Sequence, residues 1–205
     1  KAGKILGNSL GLLLVSAVIL MALGYLFSRP VLFAFGASDE SIVYAGEYLN
    51  IYLAGTLFSM VATGMNGYIN AQGFPRVGMY TIVLGAVCNV VLDPIFIFGL
   101  KMGVSGAALA TVISQAVSAF WVLRFLTGKK IPVNLNRSNI AIQKEITKDI
   151  CKLGAASFIV QGTNCLVQVS CNATLQIFGG DLYVGIMTVA NSVREIFMLP
   201  VSGII

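Results

Sequence analysis

The sequence predicts an all-α fold, a polytopic membrane helix bundle, on three observations. Hydrophobic residues make up 57% of the chain and charged residues 10%, whereas a soluble domain carries about 25% charged residues. The apolar residues gather into six runs, each long enough to cross the hydrocarbon core, which takes about 20 residues as a helix. The basic residues between those runs are strongly biased to one side.

The runs justify six spans in order: about 5–28, 41–70, 77–100, 102–127, 151–178 and 182–205. The first is uncharged. The second has Glu47 near its start, the third contains NVVLDPIFIF, and the sixth contains Arg194 and Glu195. Turns rich in Gly, Pro and charge separate them: SRPVLFAFGASDE, AQGFPR, GLKMG and FGGD. Only 128–150 is long and polar. From Asn139 to Lys152 it spaces Ile140, Ile146 and Ile150 among charges, the pattern of an amphipathic helix lying at the interface. Six spans place ten basic residues on one side, among them Lys1, Lys4, Arg76, Arg124 and those of 128–150, against Arg29 and Lys101 on the other. The positive-inside rule makes 1–4 and 128–150 cytoplasmic. The chain starts at Lys1 without a signal-peptide pattern and stops inside an apolar run, so a piece of a longer protein is expected.

There is no histidine, and the four cysteines show no CxxC spacing, which argues against a thiolate or imidazole metal site. Cys88, Cys151, Cys165 and Cys171 sit in or beside apolar runs and are expected to be small buried hydrophobes. The net charge of +5 is explained by membrane topology rather than by a nucleic-acid stripe. No nucleophile elbow or metal cluster appears, so the chain is not expected to be an enzyme.

Asp93 lies well inside the third span, and a charge at that depth costs several kcal/mol unless it is paired, hydrated or protonated. Asn89 stands one turn earlier on the same face. Pro94 removes a backbone hydrogen bond and marks a helix break. Together they make a place for a cation or proton, although a role for Asp93 in pinning a neighbouring helix stays open. At ~1.5 Å per residue, Thr111, Tyr48 and Tyr52 fall in the same layer. The fifth span carries Gln161, Asn164 and Gln168 among other polar residues, as a helix bordering a wet cavity would. Arg194 either faces that cavity or bridges helices, and Pro200 suggests a second break.

INAQGFPRVGM (69–79) and GAVCNVVLDPIFIFGLKMGVSGAALATVIS (85–114) resemble the middle of the MATE (multidrug and toxic compound extrusion) family. GGDLYVG and NSVREIFMLPVSGI are also similar to the bacterial branches related to DinF and MepA. The resemblance implies a protein of twelve helices in two six-helix lobes. This chain would supply helices three to six in 1–127, a cytoplasmic linker with an amphipathic helix in 128–150, and helices seven and eight in 151–205. It implies an antiporter in a bacterial plasma membrane that exports organic cations and other amphiphiles by alternating access. The coupling ion would be Na⁺ or H⁺, with no cofactor, no nucleic-acid partner, contacts to membrane lipids, and a monomer at full length. By motif position the family's first-lobe coupling network falls on Asn89, Asp93, Thr111 and Tyr48. One branch of the family places a cation-site glutamate where this chain has Asn164, so coupling through the second lobe is put in doubt. A lipid-linked oligosaccharide flippase of the same superfamily, or a non-transport structural membrane protein, are the alternatives.

Overall fold

The computed structural model describes residues 2–128, 131–136, 140 and 142–202, with side chains as far as Met198. Lys1, Lys129, Lys130, Arg137 and Asn139 of the sequence argument lie outside the described residues, as does the side chain of Pro200. The described residues form helices and no strand: α1 (Ala2–Leu26), α2 (Ser28–Ala34), α3 (Ser41–Ala71), α4 (Pro75–Pro94), a π-helical turn (Ile95–Gly99), α5 (Gly103–Leu126) and α6 (Lys144–Ser202).

Among the described residues, four helical segments are long and apolar enough to cross a membrane: Ala2–Leu26, Pro75–Gly99, Gly103–Leu126 and Lys144–Met198. Apart from a residue or two at their edges, the described residues of the six expected spans are helical, and two features explain the smaller number. First, α6 comprises two helices, the fifth and sixth spans, that follow one another without a loop and meet at a kink at Gly180, whose φ of 62° and ψ of −164° are not helical. That backbone is essentially open to glycine alone. Second, α3 has 31 residues, but Glu47, Asn50, Asn66, Asn70 and four tyrosines dilute its apolar character.

Three local expectations are corrected. The stretch after α1 is not all turn: Ser28–Ala34 forms α2, whose Pro30 sits in the first turn, where no intrahelical donor is needed. The 139–152 stretch is not a separate helix, because α6 begins at Lys144 and runs on into the fifth span. No glycine or proline interrupts 144–153, so nothing stops the ladder. At the other end α6 continues to Ser202, past Pro200, so no break occurs there.

The chain divides into two compact units, Lys1–Ser28 with Glu47–Ser157, and Arg29–Gly46 with Phe158–Ile205. In the first unit, Leu6 and Leu10 of α1, Val61, Met65 and Ile69 of α3, and Ala119, Val122 and Leu126 of α5 form one buried cluster. Lipid tails are as apolar as these side chains, so close packing must hold the helices together. Glycines allow it. A Cβ on Gly64 would meet Leu13 at 2.7 Å, and one on Gly106 would meet the Phe96 backbone at 2.9 Å. Phe74, Val77, Ile131, Val133 and Leu135 cover the cluster from the loop end. The segment after α5 is tied down there: the Val133 N–H donates to Gln72 Oε1 at 3.1 Å, and the Leu135 N–H to the Leu126 carbonyl at 2.7 Å. Buried Asn8 of α1 donates to the Gln143 carbonyl and accepts from Thr147 Oγ1.

In the second unit the loop before α3 packs on α6. A Cβ on Gly36 would stand 3.1 Å from the Asn172 carbonyl, and Gly36 has a φ of 91°. Ser38 donates to Asp181 Oδ2 at 2.7 Å, and Gln176 donates to Asp181 Oδ1 at 3.0 Å. Cys151, Cys165 and Cys171 are free and exposed on α6, and Cys88 is half-buried, which corrects the expectation of four buried cysteines. The three on α6 are exposed because most of that element's surface has no neighbour among the described residues.

Candidate functional site

Asp93 is half-buried one residue before the end of α4. Pro94 has no N–H, so the Val90 carbonyl loses its helical donor. The chain leaves the α-helix there and continues as a π-turn, in which the Leu100 N–H reaches the Ile95 carbonyl at 2.9 Å. Such π-turns occur frequently at functional sites. The turn closes with Lys101 and Gly103, both at positive φ.

Asn89 Nδ2 donates to Asp93 Oδ1 at 3.3 Å and to Thr111 Oγ1 of α5 at 3.4 Å. Thr111 in turn donates to the Ala107 carbonyl at 2.9 Å. Three of the four expected coupling residues therefore form one hydrogen-bonded set across α4 and α5. Tyr48 stands apart from it. Its ring stacks on Tyr52, with centroids 5.9 Å apart, and the Tyr52 hydroxyl accepts from Gln115 Nε2 at 3.4 Å. Gln115 lies one turn beyond Thr111 on the same face of α5, so it is the side chain by which the tyrosine pair approaches the carboxyl set. Glu47, on the turn before Tyr48, is exposed and accepts from Ser105 at 3.2 Å.

Below Asp93 a cavity of about 560 Å³ opens among α3, α4 and α5, and Asn89, Thr111 and Gln115 line it. Asp93 itself does not line it. The rest of the wall is small and hydroxylic, with Ser59, Thr63, Asn66, Thr81, Ser114 and Ser118. Sequence reasoning missed Gln115, Asn66, Thr81 and Ser118. The readable signal was their spacing: 81, 89 and 93 on one helix, and 111, 115 and 118 on the next, each share a face.

The second unit holds another cavity, of about 410 Å³, lined by Asn164, Gln168, Asn172 and Cys171 on one side of Gly180 and by Asn191, Arg194 and Glu195 on the other. Three of the four expected cavity residues, Asn164, Gln168 and Arg194, thus line one cavity. Gln161 is exposed beside it and accepts from Asn164 Nδ2 at 3.3 Å. Arg194 and Glu195, adjacent in sequence, both face this cavity. Among the described residues no cluster of three or more His, Cys, Asp or Glu is arranged to hold a metal ion.

Residues 1–95 match the family model described as MatE. The multidrug export protein MepA of Staphylococcus haemolyticus is 30% identical over 153 residues, 75% of this chain and 33% of that protein. MepA of Staphylococcus aureus is 31% identical over 155 residues, with the same coverage of both. A solved structure of the MATE multidrug transporter DinF-BH superimposes with a TM-score of 0.92 at 37% identity, over 99% of this chain and 46% of that one. An inward-facing multidrug resistance MATE family transporter of the MOP superfamily gives 0.90 at 28% identity, over 97% of this chain and 46% of that one. The chain thus spans about half the length of the solved transporters, and its aligned part a third of the curated relatives. The family model over residues 1–95, the MepA relatives and the superposition on half of the solved MATE transporters place the chain in the MATE family.

Proposed function

We propose that the full-length protein is an ion-coupled antiporter that exports organic cations and other drugs from the cytoplasm of a bacterial cell by alternating access. The observation that carries this reading is the Asp93–Asn89–Thr111 set, a carboxylate in an apolar helix, bonded to an amide of its own helix that also reaches α5, one residue before the proline that ends α4. A carboxyl there is kept for chemistry rather than for solubility. Asn89 presents its N–H groups to both partners, and in this reading the Asp93 carboxyl carries the coupling ion, with H⁺ preferred because the amide donors facing it are not ligands for a hard cation.

Substrate is met in this reading by Asn164, Gln168 and Arg194, with Gln161 at the edge. Arg194 is the one cation lining either cavity described above. A flippase for lipid-linked oligosaccharides would call for a strongly basic chamber, so export of cationic amphiphiles fits better. The test is ethidium efflux from cells carrying the full-length protein, with Asp93→Asn expressed to the same membrane level. Efflux is expected to fall to the vector background. Efflux at the unsubstituted rate would remove Asp93 from the mechanism.

A further inference from the structure

The α4–α5 pair has a second concave face, away from the carboxyl set. Tyr80, Val83, Leu84 and Val87 of α4 and Trp121 of α5 line a groove of about 390 Å³ there. Leu84 is half-buried and the other four are exposed. Walls this apolar favour hydrocarbon over water as the filling.

Two arginines stand at one end of the groove. Ser118 Oγ donates to the Thr81 carbonyl at 3.1 Å, and Asn89 Nδ2 to Thr111 Oγ1, which sets the antiparallel register of the two helices. At 1.5 Å per residue, Arg76 lies roughly 7.5 Å beyond Thr81, and Arg124 roughly 9 Å beyond Ser118 in the same direction, so the two are level. Arg76, Tyr80, Val83 and Val87 share one face of α4, and Trp121 and Arg124 share one face of α5. Both arginines are exposed. Neither lines the groove. Each stands about one turn past it, beyond Tyr80 and Trp121, residue types that favour the headgroup level of a bilayer.

The local electrostatics call for an anion. Arg76 sits in the first turn of α4, where the helix dipole disfavours a cation, and no acid accompanies it in that turn. α5 carries no acid, and the first on α4 is Asp93, roughly 25 Å along the helix from Arg76. Guanidinium forks match phosphate oxygens. A phosphate at the arginines and an acyl chain in the groove would satisfy both features at once.

We propose that this face binds an anionic phospholipid, with its phosphate between Arg76 and Arg124 and one acyl chain along Tyr80, Val83, Val87 and Trp121. The site gives Asp93 no role, so it stands or falls apart from the transport reading.

The test uses the full-length protein in bilayers of phosphatidylcholine with increasing phosphatidylglycerol. A trace of phosphatidylglycerol carries a diazirine in an acyl chain, and labelled residues are located by peptide mass spectrometry after photolysis. Label is expected on the groove residues, and phosphatidylcholine with the same diazirine should label them at least roughly fivefold less. Arg76→Gln and Arg124→Gln should each raise the phosphatidylglycerol fraction needed for half-maximal labelling by roughly fivefold, and the double variant should not saturate. Arg76→Lys with Arg124→Lys should restore most of the labelling, because the charges remain. Lys101→Gln, at the opposite end of the same helices, should leave the half-maximum unchanged. Equal labelling of the unsubstituted protein by the two probes overturns the proposal whatever the variants do, and leaves the arginines as general interface anchors. Anionic label found on the chain but not in the groove also overturns it. So does an unshifted half-maximum in the double glutamine variant, or an equal shift in Lys101→Gln.

Discussion

Thr111 holds Asn89 in place from a neighbouring helix and has no charge of its own. Replacing it with Val keeps the shape and removes the acceptor. Interhelical hydrogen bonds in membranes average about 0.6 kcal/mol, with a maximum near 1.7. Thr111→Val should therefore weaken coupling by roughly three- to fifteen-fold, read as a shift in the proton gradient needed for half-maximal ethidium efflux, without loss of expression. Gly106 makes the opposite argument, from volume. A side chain there meets the Phe96 backbone, which cannot swing aside as a side-chain tip can. Gly106→Val is expected to cost about 1–3 kcal/mol, measured as a lower melting temperature in detergent. The carboxylate was legible because lipid disfavours a charge, and Asn89 and Thr111 followed from its helical face, its depth and their motif positions. Gln115, Asn66 and Ser118 were not singled out, because uncharged polar residues are common in spans and only their shared cavity gives them significance.

Elements are set by their breaks more than by their interiors. Gly180 takes a backbone conformation closed to residues with a Cβ, and the residues on either side line one cavity. Gly180→Val should strain the hinge by about 1–3 kcal/mol. The melting temperature should drop. Cross-linking between Gln168→Cys and Asn191→Cys, introduced together in a background without native cysteines, should weaken. Pro94 is the other break. Its effect was legible, since proline cannot donate, but the form of the result was not: the helix widens into a π-turn rather than kinking to a stop. Short α2 was read as a turn because its Pro and its length speak against a helix. The VLFAF run supplied enough local preference to form one once proline sat in the first turn, where it is tolerated.

At the scale of the whole chain, the segment after α5 straps the loop end of the first unit through Gln72 and Asn8. Asn8 is fully buried, and apolar replacement leaves the Gln143 carbonyl and the Thr147 hydroxyl without it. A lost buried hydrogen bond costs about 1–3 kcal/mol. Asn8→Leu is accordingly expected to speed proteolytic nicking between residues 128 and 143 by roughly tenfold or more, with the helices themselves protected. Unchanged nicking would show that Asn8 does not hold the strap.

The sequence by itself determined the helical class, the six apolar runs, the lipid environment and the isolated carboxylate. All of these follow from local composition, because lipid excludes charge wherever in the fold it occurs. Only the tertiary structure decided which polar side chains meet. Hydrogen bonds form over about 3 Å, while a depth estimate along a helix leaves its rotation unset. That is why Asn89, Asp93 and Thr111 come together while Tyr48 reaches them only through Tyr52 and Gln115, and why Asn8 finds partners more than a hundred residues away.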